Sequence, residues 1–227
     1  MSEPAFARDR ATAAYYDQRA PEYDDWYRGT GLFAARDRPG WAEEVDALVD
    51  LVRGLPAART LDIACGSGFL TRHLAGMVVG LDQSPSMLTV ARPRIPGGRV
   101  LVADALALPV TAGAFDRVLT GHFYGHLPPR ERAAFLAQAR RAALELVVID
   151  TALRPGIEPE QWQERVLNDG SRHRCSSGSC DPSSSPSRSA VRSSSPAPGS
   201  SRPGPVRRRR QGARAGGRAA GSGSPAR

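Results

Sequence analysis

From residue 41 to residue 53 the chain reads WAEEVDALVDLVR, with Trp41, Val45, Leu48, Val49 and Val52 recurring at intervals of three and four. That period predicts a helix with one apolar face. Glu43 and Glu44 stand in its first turn, Arg53 in its last, and Gly54 and Pro56 stop it. Downstream, short apolar runs alternate with helical stretches: TLDIAC, a helix from about Gly68 to Ala75, MVVGLD, a helix from about Pro85 to Ala91, RVLVAD and FDRVLT. A longer helix from Pro129 to about Ala143, the run ELVVID and a shorter helix around Glu158 to Leu167 complete the series. Runs such as LVVID are apolar on consecutive positions, as strands covered on both faces of a parallel sheet require. The order predicts an α/β fold, a doubly wound and mostly parallel sheet of five strands. Ahead of it, YYDQRAPEYDDWY gathers Tyr15, Tyr16, Tyr23, Trp26, Tyr27 and Arg19 and is broken by Pro21, which predicts two short helices joined at Ala20.

Composition changes this picture only when the chain is divided. Residues 1–170 hold 19 Arg against 22 Asp and Glu, a net charge of −3, whereas residues 171–227 hold 12 Arg and one Asp, a net of +11. The sequence pI of about 10.3 therefore belongs to the tail, and a mildly acidic body excludes a basic nucleic-acid-binding domain. The tail draws 50 residues from Ser, Arg, Gly, Pro and Ala and has no aromatic residue. It is expected to be disordered, because it cannot bury enough apolar surface to offset its ordering entropy. No apolar run approaches the length of a membrane helix, and MSEPAFARDR lacks the apolar stretch of a secretory signal, so the expected location is cytoplasmic. Three cysteines, Cys65 in the body and Cys175 and Cys180 in the tail, give no disulfide framework.

In doubly wound sheets the ligand lies beyond the carboxyl ends of the strands, where strand order reverses. The first strand here leads into Cys65-Gly66-Ser67-Gly68, whose glycines let a ligand approach the backbone. Asp82 ends the second strand, 20 positions after Asp62, where a carboxylate can accept from both hydroxyls of a ribose. Asp104 ends the third in the same way. A dinucleotide fingerprint would need a third glycine where Thr71 stands, and Asp62 would repel a pyrophosphate while tolerating a ligand with an ammonium and a sulfonium. Three plainer readings stay open at this point: glycines that serve only a tight turn, an Asp82 that only caps the helix near Pro85, and an Asp104 that is a surface acid at a strand end.

LDIACGSGFLTRHLA, VVGLDQSPSML, VLVADALALPVTAGAFDRVLTGHFYGHL and LVVID, in this order and spacing, resemble the class I S-adenosylmethionine-dependent methyltransferases over about residues 10–170. The resemblance implies that Asp62, Cys65, Gly66 and Gly68 hold the methionine part of S-adenosyl-L-methionine. It also implies that Asp82 grips the ribose, that Asp104 meets the adenine amino group and that the Ala105 N–H meets the ring. Ala64 departs from the pattern, since many members carry a glycine there. An N-terminal segment like this one lies over the cofactor in that family, which makes Tyr16, Arg19 and Tyr23 candidates for a lid. The implied division is a helical lid over residues 1–40, a cofactor-binding methyltransferase domain over 41–170 and the tail over 171–227.

Methyl transfer from a sulfonium is an in-line displacement, so the protein chiefly aligns the acceptor, excludes water and removes a proton where one must leave. His122 and His126 follow the fourth strand and are the candidate catalytic bases, with Tyr124 between them. Gly121, Gly125, Pro128 and Pro129 argue against a helix that could present the two histidines to a metal, and no metal is expected. Cys65 reads as a small packing residue. The expected partner is a small-molecule methyl acceptor, with no membrane, and with nucleic acid only through non-specific contact with the tail. Two alternatives remain: a non-catalytic nucleotide-binding α/β protein, and charge-driven RNA binding through the Arg-rich tail around Arg207 to Arg210.

In the resembled family two more strands cover the edge of the fifth, and here that C-terminal hairpin is apparently missing. The alphabet that replaces it, together with the absence of lysine, is what a shift of reading frame near Arg172 to Cys175 would produce in a gene rich in G and C.

Overall fold

A computed structural model describes residues 6, 7, 9–150, 160–178 and 190–193. All of them fall in one compact unit of the chain. Five parallel strands form the centre: β1 (Ala58–Ile63), β2 (Gly76–Asp82), β3 (Val100–Val102), β4 (Arg117–Gly121) and β5 (Glu145–Asp150). They lie in the order β3-β2-β1-β4-β5, and β8 (Ala190–Ser193) runs parallel to β5 at the edge. The chain moves outward from β1 to β3 and then returns to the other side of β1 with β4, so the order reverses between β1 and β4. The doubly wound sheet is thus the one the apolar runs predict.

Helices α1 (Arg10–Arg19) and α2 (Asp25–Arg28) are joined by a 3-10 turn at Ala20–Glu22, as Pro21 requires. Asp9 caps α1, its Oδ2 accepting from the Thr12 N–H at 2.8 Å. Helix α3 (Trp41–Arg53) buries Leu48 and Val52, and its Trp41 indole donates to the Trp26 and Tyr27 carbonyls. Helix α4 (Pro85–Ala91) begins at Ser84, whose hydroxyl accepts from the Met87 N–H. Helix α5 (Pro129–Ala142) packs Phe135, Ala139 and Ala142 against the sheet. The core has two parts: Leu61, Ile63, Val118, Val148 and Phe135 belong to one, Val52, Val78, Leu119, Val147 and Ile149 to the other.

Two elements differ from the sequence reading. The helix expected over Gly68 to Ala75 is only a 3-10 turn at Thr71–His73, followed by extended backbone at Leu74. Eight helical residues rise only about 12 Å, whereas the chain must run back along a six-residue strand of about 20 Å before β2 can start. The segment is therefore built of turns and one short 3-10 turn, with extended backbone at Leu74, rather than of a regular helix. The helix expected around Glu158 to Leu167 is strand β6 (Glu160–Val166), paired antiparallel with β7 (Arg172–Gly178). Asn168-Asp169-Gly170 is a hairpin-turn signal, with Gly170 at φ 84°, and it decides between a short helix and a strand. This hairpin is a sheet of its own, and among the described residues no antiparallel strand joins the main sheet. Order thus continues past residue 170 into β7 and β8, while residues 179–189 and 194–227 of the expected tail lie outside the described residues.

Candidate active site

At the reversal between β1 and β4 the carboxyl ends of the strands open onto a cleft of about 570 Å³, the open mouth included. Gly66 and Ala64 from the loop after β1, Asp82 and Gln83 at the end of β2, Ala103 and Ala105 after β3, and Gly121 and His122 at the end of β4 all line it. A smaller adjoining cavity of about 280 Å³ shares Tyr23, Ala64 and Gly121 with the cleft and is also lined by Asp62, Cys65 and Tyr27.

Asp82 is the polar centre of the cleft. It is buried, and its Oδ2 accepts from the Gly66 N–H at 2.9 Å while Oδ1 accepts from the Ser84 N–H at 2.9 Å. Each carboxylate oxygen keeps a further lone pair for a ligand. Burial pushes its pKa up, and the N–H groups of Ser84 and Gly66 oppose that rise. Gly66 has φ 55°, and a Cβ there would meet the Tyr23 ring at 3.3 Å, so both the turn and the ring's approach require glycine. Asp62 accepts from the Thr71 hydroxyl at 2.6 Å, and burial pushes its pKa up to about 7.

Ala64 also lies in the left-handed region, at φ 58°. The departure from glycine noticed in the sequence therefore strains the loop, by roughly 1–2 kcal/mol for an L-residue. Replacing it by glycine restores freedom to the unfolded chain, which takes back roughly 0.4–1 kcal/mol. Ala64→Gly is accordingly expected to raise stability by about 0.5–1 kcal/mol, read as a thermal midpoint higher by about 1–4 °C.

The remaining sequence candidates divide between the cleft and its supports. Tyr16 and Ala105 line the cleft. Arg19 is buried behind it, donating to the Tyr15 hydroxyl at 2.8 Å and stacking over the Tyr23 ring with 4.9 Å to the centroid. Gly68 serves packing, since a Cβ there would lie 3.2 Å from that of Ala91. The Cys65 thiol is held protonated by burial. Asp104 caps its own turn, accepting from the Leu106 N–H at 2.7 Å, and does not line the cleft.

His122 and His126 part company. His122 lines the cleft at φ 55°, an uncommon conformation for a residue with a side chain, and its backbone N–H donates to the Ile149 carbonyl at 2.7 Å. Neither ring nitrogen has a hydrogen-bond partner, although both are buried, and burial pulls the pKa down to about 4. Strain and an orphaned polar group at one residue are what a ligand-binding position carries. His126 does not line the cleft; its ring stacks on Phe6, centroids 5.0 Å apart. Phe6 and Ala7 do line it, held there by their backbone N–H groups donating to Glu131 Oε2 at 3.2 and 3.0 Å.

Between pH 6.5 and about 4 the unfolded chain protonates His122 and the folded chain does not, so this residue's contribution to stability is lost as pH falls through that window. Asp62 works in the opposite direction, because its raised pKa lets the folded chain hold a proton that the unfolded chain has released above pH 4. The difference between wild type and His122→Asn isolates the histidine, and asparagine tolerates positive φ. Acid titrations followed by circular dichroism should show His122→Asn losing less stability than wild type between pH 6.5 and 4, and parallel curves would contradict the assignment.

Sequence reasoning missed Phe6, Gln83, Met87, Ala103 and Trp26, whose ring meets His122 edge-on at 5.0 Å. It also missed two acids of the N-terminal segment, Asp17 and Asp24. The repeated pair Tyr16-Asp17 and Tyr23-Asp24 was the available signal. Among the described residues no helix is long and apolar enough to cross a membrane, and no group of three metal-ligating side chains is present.

Comparison with known proteins bears on the same residues. Residues 60–144 match the methyltransferase domain family. An uncharacterized methyltransferase of Alkaliphilus oremlandii is 25% identical over 159 residues, 67% of this chain and 71% of its own length. The demethylmenaquinone methyltransferase of Renibacterium salmoninarum is 31% identical over 147 residues, and the match covers 63% of this chain and 60% of that protein. The solved DhpI–SAM–HEP complex shares the fold, with a TM-score of 0.60 at 21% identity over 81% of this chain and 86% of the other. Residues 60–144 carry a methyltransferase domain, and these similarities support an S-adenosylmethionine-dependent methyltransferase, with S-adenosyl-L-methionine as its cofactor.

Proposed function

We propose that this enzyme transfers a methyl group from S-adenosyl-L-methionine to a small-molecule acceptor in the cytoplasm. The observation that carries the cofactor's place is the polarity of the site: among the described residues lining the cleft and its adjoining cavity the carboxyl groups are Asp82 and Asp62, and no arginine stands beside them. Such a lining accepts a cationic ligand and repels a pyrophosphate. The residues fit the cofactor. Asp82 has lone pairs to spare for a hydroxyl pair, Leu81, Met87, Ala103 and Ala105 offer an apolar berth for a flat base, and Tyr16 and Tyr23 close over the loop.

The bound cofactor supplies an electrophilic methyl on a sulfonium. The chain's own work is to hold and to shield. Asp82 accepts the ribose hydroxyls, and Asp62 lies toward the methionine end. Cys65, Gly68, Asp104 and Arg19 support the loops and the Tyr23 ring from behind. His122 is neutral at pH 7, so one ring nitrogen keeps a lone pair for the acceptor's O–H or N–H. On transfer His122 would take the acceptor's proton as the acceptor gains the methyl and the methyl–sulfur bond breaks, its electron pair left on a neutral thioether. His126 acts at one remove by holding Phe6 over the cleft.

The acceptor reading rests on the acidic body, which has no basic stripe for nucleic acid, and on the name of the demethylmenaquinone relative. Incubation with methyl-labelled cofactor and separate pools of small-molecule extract and total RNA tests it. Label is expected in the small-molecule fraction; label confined to RNA would contradict the reading.

A further inference from the structure

The N-terminal segment repeats a Tyr-Asp pair at an interval of seven, Tyr16-Asp17 and Tyr23-Asp24. The backbone stays in the right-handed helical region at Ala20, Tyr23 and Asp24, so seven residues amount to about two turns and return each pair to one face. Both tyrosines line the cleft. Both aspartates grip a serine in a loop that holds Asp82. Asp24 Oδ1 accepts from the Ser67 hydroxyl at 2.5 Å, next to Gly66, whose N–H holds one oxygen of Asp82. Asp17 Oδ1 accepts from the Ser84 hydroxyl at 2.5 Å, and the Ser84 N–H holds the other oxygen.

We propose that Asp17 and Asp24 are positioning residues, a double clasp that couples closure of the N-terminal segment to binding of the cofactor. The coupling rests on the cofactor site proposed above. It works through geometry that a packed lid alone would not need. Ser67 and Ser84 are both buried to within 1% exposure, and their hydroxyls are spent on the clasp and on the α4 cap. Asp24 Oδ2 also receives Arg94 at 2.7 Å and Arg28 at 3.2 Å, and Arg94 donates again to the Ser67 carbonyl at 3.1 Å. The glycine loop is thereby pinned from its hydroxyl and its carbonyl at once. When the clasp opens, Tyr16 and Tyr23 leave the cleft wall and the N–H groups that orient Asp82 lose their support. The clasp therefore governs how long a ligand stays more than how fast it arrives.

The test uses the full chain and S-adenosylhomocysteine. In stopped-flow measurements Asp24→Ala and Ser67→Ala are each expected to speed ligand dissociation about tenfold or more while changing association by less than about threefold. The double variant should be no worse than the poorer single one by more than about twofold, because the two residues make one contact. Asp24→Asn keeps an acceptor for Ser67 and should recover most of the residence time. Unchanged dissociation, or losses that multiply in the double variant, would overturn the proposal. A second readout needs no ligand: amide exchange of residues 10–19 should rise about tenfold in Asp24→Ala, with β1 unchanged. Unchanged exchange there would overturn the clasp, whereas a wild type that fails to bind S-adenosylhomocysteine would overturn the cofactor site.

Discussion

Asp82→Ala is expected to weaken S-adenosylmethionine binding about 10- to 150-fold, the ~1.5–3 kcal/mol that charged hydrogen bonds to a ligand hydroxyl pair contribute. The loss has two sources. The carboxylate itself is gone, and the Gly66 and Ser84 N–H groups that it anchors lose their acceptor. Asp82→Asn separates them, since the amide keeps one oxygen for one N–H and turns an NH2 toward the other; its affinity should fall between the two. Calorimetry at fixed salt reads both variants, and unchanged affinity in Asp82→Ala would contradict the ribose assignment. Asp104→Ala should cost less, because that carboxylate serves its own turn and does not line the cleft.

Phe135→Ala is expected to destabilise the fold by about 3–5 kcal/mol, the usual cost of emptying a fully buried aromatic site. Phe135 is entirely buried on α5, with the rings of Phe123 and Tyr124 each 5.8 Å away. Those two residues lie between His122 and His126 in the sequence, so the cavity opens beneath the His122 side of the cleft. The thermal midpoint should fall on the order of 10 °C. A shift of only a degree or two would mean that the α5 face collapses into the space at little cost.

The sheet was legible because its strands are apolar on consecutive positions: Leu61, Ile63, Val78, Leu81, Val118 and Leu119 are all buried. The glycine loop was legible because Gly66 follows the first strand and Asp82 ends the second, and the structure joins the two by a hydrogen bond at 2.9 Å. What failed was local. The stretch after Gly68 has helical apolar spacing, yet the distance back to β2 overrides it. Around Glu160 a weak pattern was read as helix, although the Asp-Gly turn beyond it favours a hairpin. His122 and His126 look equivalent in the sequence. Only the positive φ at His122, which turns the chain out of β4, sends one ring to the cleft and leaves the other against Phe6. Asp24 and Asp17 were hidden for a different reason, because their partners Ser67 and Ser84 lie 43 and 67 residues away along the chain.

The frame shift inferred near Arg172 to Cys175 is our proposal for the tail, and the nucleotide sequence tests it. A neighbouring frame should restore apolar residues where Ser and Cys now stand.

A structure of the full chain with S-adenosylhomocysteine tests the central claim most directly. Both ribose hydroxyls are expected on the Asp82 carboxylate, the base against Met87 and Ala105, and the sulfur facing the side of the cleft where His122 stands. Ligand bound elsewhere, or in this cleft without contact to Asp82, would contradict it.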